Sequence, residues 1–130
     1  PMHPGVYADL LSEKMEQNGS TAWLINTGWN GGPYGVGNRM KIKYTRAMLN
    51  AALDGDLDNV EYVVDDRFGF EVPKTCPGVP SEVLIPKQTW EDGAVYDSTA
   101  DKLASMFNEN FERYATGVSD EVNAASPKSE

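Results

Sequence analysis

Arg39, Lys41, Lys43 and Arg46 follow directly on a ten-residue stretch, Gly28 to Gly37, in which five residues are glycine. Glycine lets a backbone approach a ligand closely, and clustered N–H groups form concave anion sites. Residues 17–53 contain no Asp or Glu, so this window carries a charge of +4 in a chain whose net charge is -9. A glycine loop feeding a basic segment, in a chain that otherwise repels anions, points to a negatively charged ligand, and a nucleotide leads the candidates. The plainer reading is a solvated face that balances acidic neighbours, which is what most charge runs are. The adjacent glycines and the missing local acids shift the balance toward anion contact.

The loop comes close to a Walker A pattern. Gly32 and Gly37 have the G-x-x-x-x-G spacing, but Asn38-Arg39 stands where Lys-Ser/Thr is required. The Lys neutralises terminal phosphates and the hydroxyl binds Mg²⁺, so this loop does not carry phosphoryl transfer. Its alternative is a flexible surface turn. Arg39 can stack its planar guanidinium on a purine or donate to phosphate. Thr45, read as the N-cap of a helix, adds a hydroxyl and free N–H groups that favour an anion or a base edge.

Other chemistry-bearing types are sparse. His3 is the only histidine, which excludes a Ser/His/Asp or Cys/His constellation with a choice of bases, and it reads as structural or solvated. Cys76 reads as an inert thiol. Trp23, Trp29 and Trp90 read as core or hinge packing. Asp54, Asp56 and Asp58 alternate like a calcium loop, but the required Gly and terminal Glu fall at the wrong offsets, so no metal site is assigned.

The elements that must position the basic window come from periodicity. Val6 to Gln17 predicts a helix stopped by Asn18-Gly19. Ala22 to Thr27 predicts a buried strand opening into the glycine loop. Arg39 to Tyr44 alternates basic and apolar residues and predicts an extended segment. A helix from Thr45 through Leu53, closed by Gly55, follows. Glu61 to Asp65 predicts a second strand, residues 67–95 an irregular Pro/Gly-rich wrap, and Tyr96 to Tyr114 a long helix with the stripe Ala100, Leu103, Phe107, Phe111 and Tyr114. Residues 116–130 predict a mobile tail. The fold class is α/β, helices and strands mixed, with about three helices, short strands and the long wrap.

Length bounds this to one domain at most, and 40% hydrophobic with 24% charged residues is globular composition. The acidic balance argues against nucleic acid as the main partner. No apolar run approaches the ~20 residues needed to span a membrane. No signal peptide is seen at the first residues, and the single Cys fits a reducing cytosol.

Several blocks then resemble one family. Pro1-Met2-His3-Pro4 with Tyr7-Ala8, Asn26-Thr27-Gly28-Trp29-Asn30-Gly31, and Gly37-x-Arg39-Met40-x-Ile42-Lys43-x-Thr45-Arg46-Ala47 are similar to the last quarter of ATP-dependent phosphoenolpyruvate carboxykinases. Leu57-Asp58-Asn59, Val72-Pro73, Pro77-Gly78-Val79 and the helix Leu103-Ala104-x-Met106-Phe107-x-x-Asn110-Phe111 extend the match to about residue 115. The resemblance implies the C-terminal segment of a nucleotide-binding domain over residues 1–115, in a cytoplasmic lyase of gluconeogenesis. That family converts oxaloacetate and ATP to phosphoenolpyruvate, ADP and CO2 with Mg²⁺ and Mn²⁺. It implies ATP contacts at Arg39, Met40 and Thr45. It places the kinase-type glycine loop, the metal ligands and the contacts to oxaloacetate and phosphoenolpyruvate upstream, so no catalytic and no metal-binding residue is expected in this chain. Asn38 departs from the Lys common in the family. A stand-alone nucleotide- or anion-binding module without catalysis, and a purely structural domain, are the alternatives.

Overall fold

The first helix shows how local chemistry sets the element boundaries. His3 stands at its N-cap and its Nδ1 accepts a hydrogen bond from the Gly5 amide at 3.1 Å, while Pro4 occupies the first helical position. The lone histidine is therefore a helix cap, and its ring also meets Tyr114 edge-on at 6.2 Å. The computed structural model describes residues 2–128; Pro1, and Ser129 and Glu130 at the end of the expected tail, lie outside the described residues.

Helix α1 (Pro4–Asn18) is followed by a long extended stretch and then a small hairpin of β1 (Trp29–Asn30) and β2 (Asn38–Arg39). Helix α2 (Ile42–Asp54) leads to a second antiparallel hairpin, β3 (Tyr62–Val64) and β4 (Glu71–Pro73), in which Tyr62 faces Pro73 and Val64 faces Glu71. Helix α3 (Ser81–Leu84), a 3₁₀ turn at Pro86–Thr89, the long helix α4 (Gly93–Phe111) and the short α5 (Asp120–Ala124) complete the chain. The mixed α/β class stands. The stretch 67–95 is less irregular than its Pro/Gly content suggests, since it holds β4, α3 and the 3₁₀ turn. In the segment read as a tail, α5 is capped by the Ser119 hydroxyl, and the Lys128 amide donates to Arg67 O at 2.7 Å.

Three expectations are corrected. Ala22 to Thr27 is extended but pairs with no strand among the described residues, and Leu24 is 80% exposed, so this is not a buried strand. Arg39 to Tyr44 is extended only at its start, because α2 begins at Ile42. Thr45 is thus not the N-cap; Lys41 takes that position, with no side-chain cap bond. Tyr44, Ala47, Met48, Ala51 and Ala52 recur at helical spacing on the face that packs inward, and that face requires the helix to start ahead of Tyr44.

The core is built from small and medium side chains. Ala51, Leu57, Cys76 and Val79 are buried together, with Trp23, Tyr44, Ala47, Met48 and Val60 among the partly buried residues around them. On α4 the buried positions are Ala100, from the expected stripe, and Ala104 beside it; Phe111 of the stripe is half-buried, while Leu103 and Phe107 are 43% and 52% exposed. The accessible surface is 9552 Å², against about 6,800 Å² for a compact monomer of this mass. Much apolar side chain, including Tyr7, Leu10 and Leu11 of α1, stays in solvent.

A charged network joins the second hairpin to α4. The Asp65 carboxylate accepts from the amides of Arg67 (3.1 Å) and Phe68 (2.7 Å), and Gly69 closes the turn at φ +70°. This aims Arg67 at α4, where its guanidinium grips Asp101 with Nε and Nη2 and reaches Asp97 at 3.3 Å. Lys87 from the 3₁₀ turn meets the other oxygen of Asp97 at 2.7 Å. Burial, and then the Asp65 carboxylate, pushes the Tyr96 phenol above its ordinary value, against the opposing pull of Arg67.

Arg67→Ala is expected to cost about 1.5–3 kcal/mol, the range for charge-assisted hydrogen bonds, in denaturant unfolding of the intact protein. Lys87→Ala, removing an exposed pair, is expected to cost under about 1 kcal/mol. Equal losses would show that the network does not organise the packing of α4. A second outcome concerns the first hairpin. A Cβ on Gly37 would stand 2.5 Å from Gly32 O and 2.6 Å from Asn30 O, whereas one on Gly35 would meet nothing within 4 Å. Gly37→Ala should therefore open residues 29–38 to limited proteolysis, and Gly35→Ala, strained only by its φ of +89° and meeting no neighbour, should do so less.

Candidate nucleotide site

The basic window forms a corner between a hairpin and a helix start. In the hairpin, Trp29 pairs with Arg39 and Asn30 with Asn38, and the Met40 amide donates to Gly28 O at 2.7 Å. Two contacts support it from outside. The Trp29 and Tyr34 rings meet edge to face at 5.2 Å. The Thr89 hydroxyl lies 2.7 Å from both the Asn30 side-chain oxygen and Pro86 O, which fastens the 3₁₀ turn to β1.

Arg39, at the end of β2, is exposed, and Met40 next to it is buried with 8% of its side chain accessible. Lys41 then turns the chain into α2. Thr45 is half-buried in the first turns of α2, and its hydroxyl reaches back to Asn26 O at 3.5 Å. That contact is at the long limit for a hydrogen bond, so the hydroxyl is weakly held. The structure brings Arg39, Met40 and Thr45, the three residues singled out from sequence, to one corner.

The electrostatics of this corner are uncompensated. Among the described residues, Arg39, Lys41, Lys43 and Arg46 make no ion pair, while Lys14, Arg67, Lys74 and Lys87 each do. Lys41 and Lys43 instead lie over the Tyr44 ring, 5.7 and 4.9 Å from its centre. The first turn of α2 contains no acid, so the positive end of its dipole adds to the same field. An anion near the start of α2 would meet the positive potential of these side chains and of the helix dipole, which is chemistry for binding.

Sequence reasoning missed Asn26, the residue on the opposite lip of the corner. Its signal was present: Asn two residues before a Gly is a pattern for a side chain that bonds its own backbone. The remaining candidates stay out of the site. Cys76 is buried, and burial followed by the Asp56 charge pushes its thiol above the ordinary value, which disfavours the thiolate. No group of three or more His, Cys, Asp or Glu among the described residues could hold a metal ion. No helix among them is long and apolar enough to cross a membrane.

Comparison with known proteins matches the same window. A family model described as phosphoenolpyruvate carboxykinase covers residues 1–82. The phosphoenolpyruvate carboxykinase (ATP) of Thermus thermophilus is 55% identical over all of this chain and 25% of its own length. Those of Flavobacterium johnsoniae and Christiangramia forsetii are 52% and 50% identical, over 100% and 98% of this chain and 24% of their own lengths. The chain thus spans about a quarter of the length of the curated relatives it matches. With the window, its glycines and its helix start all inside the matched region, the chain belongs to the phosphoenolpyruvate carboxykinase family.

Proposed function

We propose that this chain supplies part of the ATP site of a cytoplasmic, ATP-dependent phosphoenolpyruvate carboxykinase, within residues 1–115 as the C-terminal segment of its nucleotide-binding domain. The full enzyme converts oxaloacetate and ATP to phosphoenolpyruvate, ADP and CO2. The observation that carries the reading is the corner itself: Arg39, Met40 and Thr45 lie beside Lys41, Lys43 and Arg46, and none of these four cations makes an ion pair among the described residues, in a chain of the family.

Each residue has a distinct task. The Arg39 guanidinium stacks on the purine or donates to phosphate. The Met40 side chain is buried and its amide is committed to Gly28 O, which leaves its carbonyl as the group to present to a ligand. The Thr45 hydroxyl, weakly held by Asn26 O, exchanges that contact for the nucleotide. Lys41 and Lys43 raise the local positive potential. The groups that transfer the phosphoryl, bind oxaloacetate and hold Mg²⁺ and Mn²⁺ belong to the rest of the enzyme.

In the full-length enzyme, Arg39→Ala is expected to raise the KM for ATP roughly tenfold to hundredfold, the loss of one charged hydrogen bond, with a smaller effect on oxaloacetate. Arg39→Lys should recover part, because Lys lacks the planar fork. Thr45→Val should move ATP in the same direction by less. An unchanged ATP KM in a folded Arg39→Ala enzyme would leave the basic window as a solvated face. The 130-residue chain alone is expected to form no phosphoenolpyruvate; saturable ATP binding by it would favour a self-sufficient nucleotide module.

A further inference from the structure

Resting on that reading of the site, we infer that Asn26 is the positioning residue of the nucleotide corner, setting all three proposed ATP contacts without being one of them. Asn26 Oδ1 accepts from the Gly28 amide at 2.8 Å, and Nδ2 donates to Trp29 O at 3.0 Å. The two partners are an N–H and a carbonyl, so the orientation of the amide is fixed by its neighbours. The side chain closes a turn on its own backbone and holds Gly28 and Trp29 in one arrangement.

Those two residues are the ones against which the contacts are built. Trp29 pairs with Arg39 across the hairpin, and Gly28 O receives the Met40 amide at 2.7 Å. The main-chain carbonyl of Asn26 itself faces the Thr45 hydroxyl. Arg39, Met40 and Thr45 therefore each have a partner within Asn26–Trp29, and the Asn26 side chain fixes the relation among those partners. The extended segment ahead of it offers no such hold. Residues 21–25 have no backbone ladder among the described residues, and Trp23 is held by side-chain packing, so the turn at Asn26 is the first point at which hydrogen bonds fix the incoming backbone. Asn26 is exposed, which separates this role from that of a core residue.

The chemistry distinguishes two substitutions. Asn26→Ala removes both bonds and lets the Gly28–Trp29 peptide rotate. Asn26→Ser keeps a short acceptor for the Gly28 amide, since Ser forms the same turn more weakly, but cannot reach Trp29 O as the amide does. The test uses the full-length enzyme with ATP and oxaloacetate varied separately, and a thermal melt of each variant. Asn26→Ala should raise the ATP KM roughly three- to tenfold, as expected for two neutral hydrogen bonds near solvent. It should leave kcat within about twofold and the oxaloacetate KM unchanged, because the corner binds and does not react. Asn26→Ser should recover part of the ATP effect.

Arg39→Ala, measured alongside, separates the two readings. If it raises the ATP KM while Asn26→Ala leaves it unchanged, the positioning role falls and the nucleotide site stands. If neither variant moves the ATP KM, the nucleotide lies elsewhere and both fall. A loss of folding in both Asn26 variants, a parallel rise in oxaloacetate KM, or no recovery with Ser would make Asn26 a general structural residue and overturn the inference.

Discussion

At Gly37 the backbones of two segments come so close that only a hydrogen atom fits. Gly32 N and O and Asn30 O all lie within 2.7 Å of where a Cβ would stand. That approach closes the Gly28–Gly37 loop into a hairpin, and the hairpin brings Arg39 opposite Trp29 and the Met40 amide onto Gly28 O. The turn into α2 follows at once, so the position of Thr45 is also set by the closure. A β-carbon at Gly37 would be felt by every residue proposed to touch ATP, although Gly37 touches nothing but backbone and neighbouring side chains.

The parts of this corner that were legible in sequence are those encoded by residue type. Five glycines in ten residues announce close backbone approach, and an acid-free run of bases announces a positive field. Both are local properties and survive any placement of the rest. What misled was periodicity over short windows. Arg39 to Tyr44 alternates with a period of two, yet Tyr44 also begins the helical series that packs on Leu57, Cys76 and Val79. Packing of α2 decided, and Thr45 lost the cap position to Lys41. Met40 illustrates a subtler limit: sequence marks it for the site, but only the structure shows its side chain turned inward and its amide already used.

Ala22 to Thr27 fails as a strand for a different reason. A strand is stabilised by its neighbours, and the described residues offer it none. Trp23 and Ile25 lean on α2 and are half-buried, while Leu24 points to solvent. The same shortage shows in the core, where Ala51, Ala100 and Ala104 are among the most buried residues and many larger apolar side chains are exposed. An accessible surface about 40% above that of a compact monomer of equal mass is the sum of these local facts. It fits a chain that spans a quarter of its relatives' length.

The composition of the corner also bears on what kind of kinetic role it can have. It contains cations, backbone carbonyls and a hydroxyl, but no general base, no nucleophile and no metal ligands among the described residues. On the proposed reading, groups of this kind would grip the nucleotide equally before and during reaction, and such uniform binding lowers KM without raising kcat. The charge pattern adds to the same effect. A chain of net charge -9 repels a nucleotide triphosphate over most of its surface, and the +4 window offers one place where the field reverses. At physiological ionic strength that field reaches about 8 Å, so on the proposed reading its work would be capture and orientation at the corner. On the same reading, Arg39 and Asn26 share one kinetic signature for different reasons, since the first would touch the nucleotide and the second would hold in place the backbone that surrounds it.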